Sequence, residues 1–371
     1  VAELRVALVH DWLTNQGGAE RVLWAFHQAY PDAPIYTSVY NAAAMTQFAQ
    51  CDVRTSFLQN WPLAQKKHQL YPKLRQIAFE SFDFSEYDVV LSTSSAESKG
   101  VITGTNTLHI SYLHTPTRYY WSDYDRYLAS PGFGWMNPIV RFILPRMISS
   151  LRHWDYAAAQ RPDILLANSQ YVAARIKKYY GLKAAIIYPP VSVDRFRSDV
   201  PKEDYYIVVS RLIPYKRVDL AVVAARDNDL PLIVIGDGSE RAKLELVAGP
   251  KTKFLGRLSD EEVAQYYERA KGFIFTAEED FGITPLEAQA AGMPVLAFGK
   301  GGALETIIDG KTGMFFKEQT RESVTEALAL FEKQQFKASD CREQAQKFSE
   351  ERFINEIQAE VASEWAKFRK S

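Results

Sequence analysis

Two glutamates, Glu279 and Glu287, stand eight residues apart in "EEDFGITPLEAQAAGMPV", residues 278–295. Between them lie Gly282 and a Thr-Pro pair. The run before, "GFIFTAEE" from Gly272, has the continuous apolar character of a buried strand. The run after, "PLEAQAAG" from Pro285, has that of a short helix. Pro285 suits the first helical position, Thr284 the N-cap and Gly292 the stop. The spacing predicts a carboxylate at a strand end, a glycine that lets a ligand reach the backbone, and a helix whose free N–H groups open there. Such a junction can receive an anion. Thr284 and Glu287 also fit a capping box, so Glu287 could serve only to close the helix start. Glu279 could be no more than a partner of the helix dipole.

Further candidates stand at the ends of other apolar runs. "SRLIPYKRVDLAV" puts Arg211 at the end of "YYIVVSR" and Lys216 at the start of the next helix. Arg as a planar fork and Lys as a point charge suit a pyrophosphate, although a solvated loop with a surface ion pair reads the same way. "HDWLTNQGGAERV" opens a helix at Gly17 and Gly18, either a second phosphate cradle or a glycine turn. It is not G-x-G-x-x-G. His114 ends the run "LHISYLH"; it is either a packed residue or a site histidine. "GDG" at 236–238 and "FLGRLS" at 254–259 could grip a base or ribose, with Asp237 and Arg257 as donor-side candidates. "DYD" at 123–125 and "DND" at 227–229 have an acid-x-acid form but read as solvated or capping acids. No His/Cys zinc spacing occurs, so the expectation is no metal.

These candidates need two sets of strands to position them. In the first half the runs are "LRVALVH", "YDVVLSTS", "LHISYLHT", "DILLANS" and "AAIIYPP". In the second they are "YYIVVSR", "LPLIVIGDG", "TKFLGRL", "GFIFTAEE", "MPVLAFG" and "GMFF". Val/Ile-rich runs alternating with helical stretches predict an α/β protein with parallel sheets covered on both faces. The 371 residues are too many for one ordinary core. The expected architecture is two Rossmann-like, doubly wound domains, residues 1–190 and 191–371. The last helix, 350–371, packs back on the first. If the domains face each other, the cleft between them holds the ligand.

Charge divides the same way. Residues 1–190 carry 18 Lys and Arg against 14 Asp and Glu, while the remainder carries 26 against 31. All six histidines fall in the first half. Two distant cysteines, Cys51 and Cys341, argue against a disulfide framework and fit a reducing cytosol. No signal-peptide pattern or membrane-spanning run is evident. Residues 57–80 and 131–161 mix Trp, Phe and Tyr with Lys and Arg. They suit either an anionic headgroup zone or an ordinary amphipathic core face.

Taken together, "SRLIPYKR", "FLGRLSDEEVAQYYERA" and E-x7-E in "EDFGITPLE" resemble retaining glycosyltransferases of family four, with the GT-B fold. "GGAER" and "NSQYVAARI" extend the resemblance over nearly the whole chain. "GGAERVL", "YPDAPIYTSVYN" and "HTPTRYYWSDY" look like mannosyltransferases of bacterial surface-polysaccharide assembly. The resemblance implies that Glu279 lies by the donor sugar and Glu287 holds the ribose hydroxyls. Arg211 and Lys216 would neutralise the diphosphate; Gly282, Ile283 and Thr284 would offer backbone N–H groups. Gly17 and Gly18 would close over the donor, and His114 would touch the sugar near its C6 hydroxyl. Asp280 departs from the family's usual glycine and should point outward. The implied protein is a metal-independent retaining hexosyltransferase, most simply one moving mannose from GDP-mannose to a lipid-linked or oligosaccharide acceptor. It would have no cofactor and no nucleic-acid partner. It would be cytoplasmic and peripheral at the inner face of the cell membrane. A UDP-hexose donor, or a nucleotide-sugar epimerase or binding protein on the same fold, remains open.

Overall fold

The computed structural model describes residues 4–129, 131–132 and 134–370, with only the backbone of Trp135. The chain divides into two compact units, residues 1–188 with 353–371 and residues 189–352. The second domain therefore ends at Arg352 rather than at residue 371, and the chain passes from the first unit to the second between Tyr188 and Pro189.

In the first unit the strands are β1 (Val6–His10), β2 (Ile35–Thr37), β3 (Val53–Thr55), β4 (Val89–Ser94), β5 (Leu108–Leu113), β6 (Ile164–Ala167) and β7 (Ala185–Ile186). They pair in parallel in the order β3-β2-β1-β4-β5-β6-β7. The central strands β1, β4 and β5 are buried along their whole length, as apolar runs covered on both faces must be. Leu8, Ile35, Leu91 and Ile110 pack with Phe26 of the helix Gly18–Ala29 on one face. The helix Glu350–Phe368 returns to that face with Phe353, Ile357 and Val361, spaced by four so that they share one side. Phe353 stacks on Phe26 at 5.7 Å, and the Gln358 amide donates to the Ala29 carbonyl at 3.0 Å.

The second unit contains β8 (Tyr206–Val209), β9 (Leu232–Ile235), β10 (Thr252–Gly256), β11 (Gly272–Phe275), β12 (Val295–Phe298) and β13 (Gly313–Phe316). Its parallel order is β10-β9-β8-β11-β12-β13. In both sheets the order reverses beside the unit's first strand, between β1 and β4 and between β8 and β11. Loops leaving the carboxyl ends of such a pair diverge and open a crevice.

Histidines are confined to the first unit, and two of them are buried uncharged. His68 lies under Trp12, and His109 meets Ser92 Oγ at 2.9 Å. Burial, then the nearby Arg75, pulls His68 down to about 3; burial, then Arg161, does the same to His109. The unfolded chain titrates near 6.5, so the stability these groups contribute is complete above that pH and is lost as pH falls toward 3. At pH 5 each costs about 2 kcal/mol. Hydrogen exchange, corrected for intrinsic rates, should show β1, β4 and β5 losing protection between pH 7 and 5 while β8 and β11 hold theirs. Equal losses in the two sheets would contradict this assignment.

Candidate active site

The reversal between β8 and β11 brings together residues distant in sequence. The loop after β8 carries Arg211, exposed, whose guanidinium donates to the Tyr215 hydroxyl at 3.2 Å. Pro214–Lys216 form a single 3-10 turn, and Arg217, in the left-handed region, turns the chain into the helix Val218–Asp227. The Lys216 ammonium pairs directly with the Glu279 carboxylate from the loop after β11, each side chain 17% exposed. The backbones are tied as well. The Thr276 hydroxyl donates to the Lys216 carbonyl at 2.9 Å, and the Gln319 amide donates to the Thr276 carbonyl at 2.7 Å.

Two glycines that sequence reasoning missed hold the Glu279 loop. The Gly302 N–H donates to the Glu279 carbonyl at 2.9 Å. A Cβ on Gly301 (φ +67°) would stand 2.3 Å from that carbonyl oxygen, and one on Gly302 2.2 Å from the Phe281 Cα. Any side chain there would displace the loop. The signal was the Gly-Gly pair following β12 in "FGKGGALE". Gly236 and Gly238 play the same part beneath Arg211, lying against the carbonyls of Ser210 and Leu212.

The helix after Glu279 starts two residues earlier than the spacing suggested. It spans Ile283–Ala290 with Gly282, φ +87°, at its N-cap. Thr284 is therefore inside the first turn, Pro285 is its third residue, and no capping box forms. No acidic side chain occupies this first turn. The N-terminal groups of Gly282, Ile283 and Thr284 thus open three residues beyond Glu279. Glu287, one turn further on, is buried and stands 3.7 Å from the Arg195 guanidinium, which also bonds Asp260 at 3.1 Å. Arg195 was not anticipated; it lies in the linker stretch, far from any strand end. Asp280 is only 9% exposed, which corrects the expectation that it points outward.

The remaining candidates stand apart from this cluster. Asp237 and Arg257 are both exposed, at the ends of β9 and β10, one and two strands away from β8. The Asp237 carboxylate accepts the Gly238 N–H at 2.8 Å. In the first unit Gly17, extended, is the N-cap of Gly18–Ala29, again with no side-chain cap. A Cβ on Gly17 would lie 3.0 Å from Glu20 Oε2. Glu20 is buried 3.6 Å from His10, a contact not foreseen inside "GGAER". At the reversal of this sheet, buried Asp11 accepts the N–H groups of Ser95, Ala96 and Ser98 at 2.6, 3.0 and 2.8 Å. His114 follows β5, its Nε2 2.6 Å from Thr93 Oγ1. The acid-x-acid motifs are occupied by arginine: Asp123 by Arg118 and Arg126, Asp227 by Arg226 and Arg321. Among the described residues no group of three or more His, Cys, Asp or Glu could hold a metal ion.

Removing Arg195 would leave Glu287 a buried carboxylate without its cation. R195A should destabilise the second unit by about 1–3 kcal/mol in urea titration, and R195A/E287Q should recover part of the loss. Additive effects of the two changes would contradict the coupling.

Comparison with known proteins fits this geometry. Residues 192–348 match the family described as glycosyl transferases group 1. A GDP-mannose-dependent alpha-(1-6)-phosphatidylinositol monomannoside mannosyltransferase of Mycobacterium tuberculosis is 28% identical over 229 residues, 53% of this chain and 57% of the relative. A GDP-mannose-dependent alpha-mannosyltransferase of Mycolicibacterium smegmatis is 42% identical over 108 residues, 29% of this chain and 28% of the relative. The chain thus spans little more than half the length of the first and less of the second. Among solved structures, sucrose-phosphate synthase from Thermosynechococcus elongatus superposes with a TM-score of 0.72 at 15% identity, covering 98% of this chain and all of the other. HepE of Anabaena, in complex with UDP and glucose, gives 0.69 at 20% identity over 97% of this chain and all of the other. Residues 192–348 thus match the glycosyl transferases group 1 family, and the chain that carries them has the two-sheet GT-B fold.

Proposed function

We propose that the protein is a retaining hexosyltransferase that moves mannose from GDP-mannose to the hydroxyl of a lipid-linked acceptor. One observation carries the reading: Lys216 and Glu279 meet at the sheet reversal of a unit that matches the group 1 family, beside a helix start. The mannose donor is supported by relatives whose names state dependence on GDP-mannose. In the reaction the bond from the anomeric carbon to the diphosphate oxygen breaks and a bond to the acceptor oxygen forms on the same face. The acceptor proton passes to the departing phosphate. The sugar becomes oxocarbenium-like while negative charge grows on the diphosphate. Arg211, Lys216 and the N–H groups of Gly282, Ile283 and Thr284 are the donors that meet this charge. Glu279, released from Lys216 as the diphosphate takes the ammonium, holds the sugar and offsets its positive charge. Glu287, its backbone fixed in the helix, accepts from the ribose hydroxyls. Gly17, Gly18 and His114 belong to the first unit, to which we assign the acceptor.

Purified protein offered GDP-mannose, UDP-hexoses and an acceptor should release GDP only when acceptor is present. Preference for a UDP-hexose, or turnover without acceptor, would point instead to the alternative donor or to an epimerase. E279Q should lower kcat by about 10²–10³-fold in a folded protein, and K216M should raise the donor KM and lower kcat together. Turnover should survive EDTA. Near-normal kcat in folded E279Q, or a strict divalent-ion requirement, would overturn the mechanism.

A lipid-linked acceptor requires contact with a membrane surface, and among the described residues no helix is long and apolar enough to cross one. Phe57, Trp61 and Leu63 are 43%, 45% and 63% exposed beside exposed Lys66, Lys67 and Lys73. Arg75, in the same stretch, is buried against Glu97 and cannot take part. Within 131–161, Phe133 and the Trp135 side chain lie outside the described residues. The reading places the protein in the cytoplasm, peripheral at the inner membrane face. It should pellet with anionic liposomes at low salt and be released as salt rises; K66S/K67S/K73S should weaken that binding. Indifference to anionic liposomes at every salt concentration would remove the membrane claim.

A further inference from the structure

The first unit holds a cavity of about 510 Å³ that none of the proposed transfer residues lines. Its walls include Tyr71 together with Ile139, Val140, Ile143, Leu144 and Met147 of the helix Asn137–Ala159. Its one charged wall residue, Arg75, is already paired: the guanidinium reaches Glu97 at 2.9 Å, His68 Nδ1 at 3.0 Å and the Tyr119 hydroxyl at 3.2 Å, while its buried Nε has no partner among the described residues. The interior therefore offers apolar surface and no spare ionic partner. Its mouth is equally one-sided. Ile139 and Ile143 are 46% and 44% exposed, and Phe142 between them 61%. Tyr71 ties the Trp61–Leu63 turn to the wall by donating its hydroxyl to the Pro62 carbonyl at 2.7 Å.

From this we infer that the cavity receives the hydrocarbon chain of the lipid-linked acceptor, an inference that rests on the transfer reading above. Size sets the length of the guest. An apolar cavity of about 150 Å³ takes one six-carbon ring, so by proportion 510 Å³ takes a chain of roughly twenty carbons. Charge decides which amphiphile. Residues 57–79 and 131–154, which supply most of the wall and its surroundings, contain no Asp or Glu at all. Lys66, Lys67, Lys73, Arg141 and Arg146 are exposed on them. An anionic phosphate or diphosphate headgroup would be attracted to that surround while its single chain entered the cavity. A neutral lipid would have no such partner.

The test uses geranylgeranyl diphosphate, with twenty carbons, and geranyl diphosphate, with ten, below their micellar concentrations and without vesicles. Native mass spectrometry of the whole chain should show one twenty-carbon lipid bound per protein and at least ten-fold weaker binding of the short one. L144W, which fills the cavity, should abolish that difference; L144A, which enlarges it, should keep it. With acceptors of equal glycan and unequal tail, wild type should show a KM at least ten-fold lower for the long tail, and L144W should erase the gap. Binding without any transfer would leave the cavity assignment standing and sink the transfer reading. Transfer indifferent to tail length, or binding only to anionic vesicles and never to the monomeric diphosphate, would overturn the cavity assignment alone.

Discussion

The pairing of Lys216 with Glu279 is the contact on which the second unit's site depends, and its value is positional. Partly exposed ion pairs contribute about 0–1 kcal/mol to stability, so the pair is not what holds the sheet together. What it does is keep an ammonium and a carboxylate in contact at the sheet reversal, on loops joined by side-chain hydrogen bonds from Thr276 and Gln319 to backbone carbonyls. Electrostatic catalysis depends on such groups being in place before charge develops. The pair is neutral as a unit, however. An arriving dianion gains from it only by separating it, so the surplus attraction has to come from Arg211 and from the helix start at Gly282. That is a physical reason for both to stand at the same crevice.

Much of this was legible in the sequence because charge at a strand end is a local signal. Arg211, Lys216 and Glu279 each follow an apolar run, and a parallel sheet delivers all its carboxyl ends to one edge. What was illegible depended on contacts between distant segments. Gly301 and Gly302 are needed only because the loop carrying Glu279 and Phe281 lies within van der Waals reach of their backbone. Arg195 finds Glu287 across more than ninety residues of chain. The helix start was misjudged for the opposite reason. Thr284-Pro285 is a good local N-cap signal, but Gly282 in the left-handed region begins the helix sooner, and the tertiary position of the loop overrides local preference. Asp280 shows the same limit: an acid in a loop reads as exposed until the fold buries it.

The last helix was legible in part. Its Phe353-x3-Ile357-x3-Val361 stripe marks one buried face, and the first unit receives it, as expected for the last helix, though the contacts that hold it there are not local. Phe26 and Tyr112 supply them, with an aromatic cluster that closes only when Phe353 is added. A second unit that ends at Arg352 while the chain runs on follows from this packing.

The helix Asn137–Ala159 explains how one unit can be firm at its sheet and open at its cavity. Its far half is anchored by Asp155, fully buried, whose carboxylate accepts from Lys99 at 2.6 Å and from Thr117, Trp121 and Tyr180 at 2.7 Å each. Removing a partner from so buried a charge is costly, so this end has one arrangement. Leu151, Ala158 and Ala159 are buried with it. The near half is held differently, by the Arg141 guanidinium donating to the carbonyls of Leu128, at 3.2 Å, and Ala129. Pro145 removes the N–H that would bond to the Arg141 carbonyl. Up-chain of it lie the exposed Ile139, Phe142 and Ile143. Ile139, Val140, Ile143 and Leu144 thus line the cavity from the part of the helix before Pro145, away from the buried pair of Lys99 and Asp155.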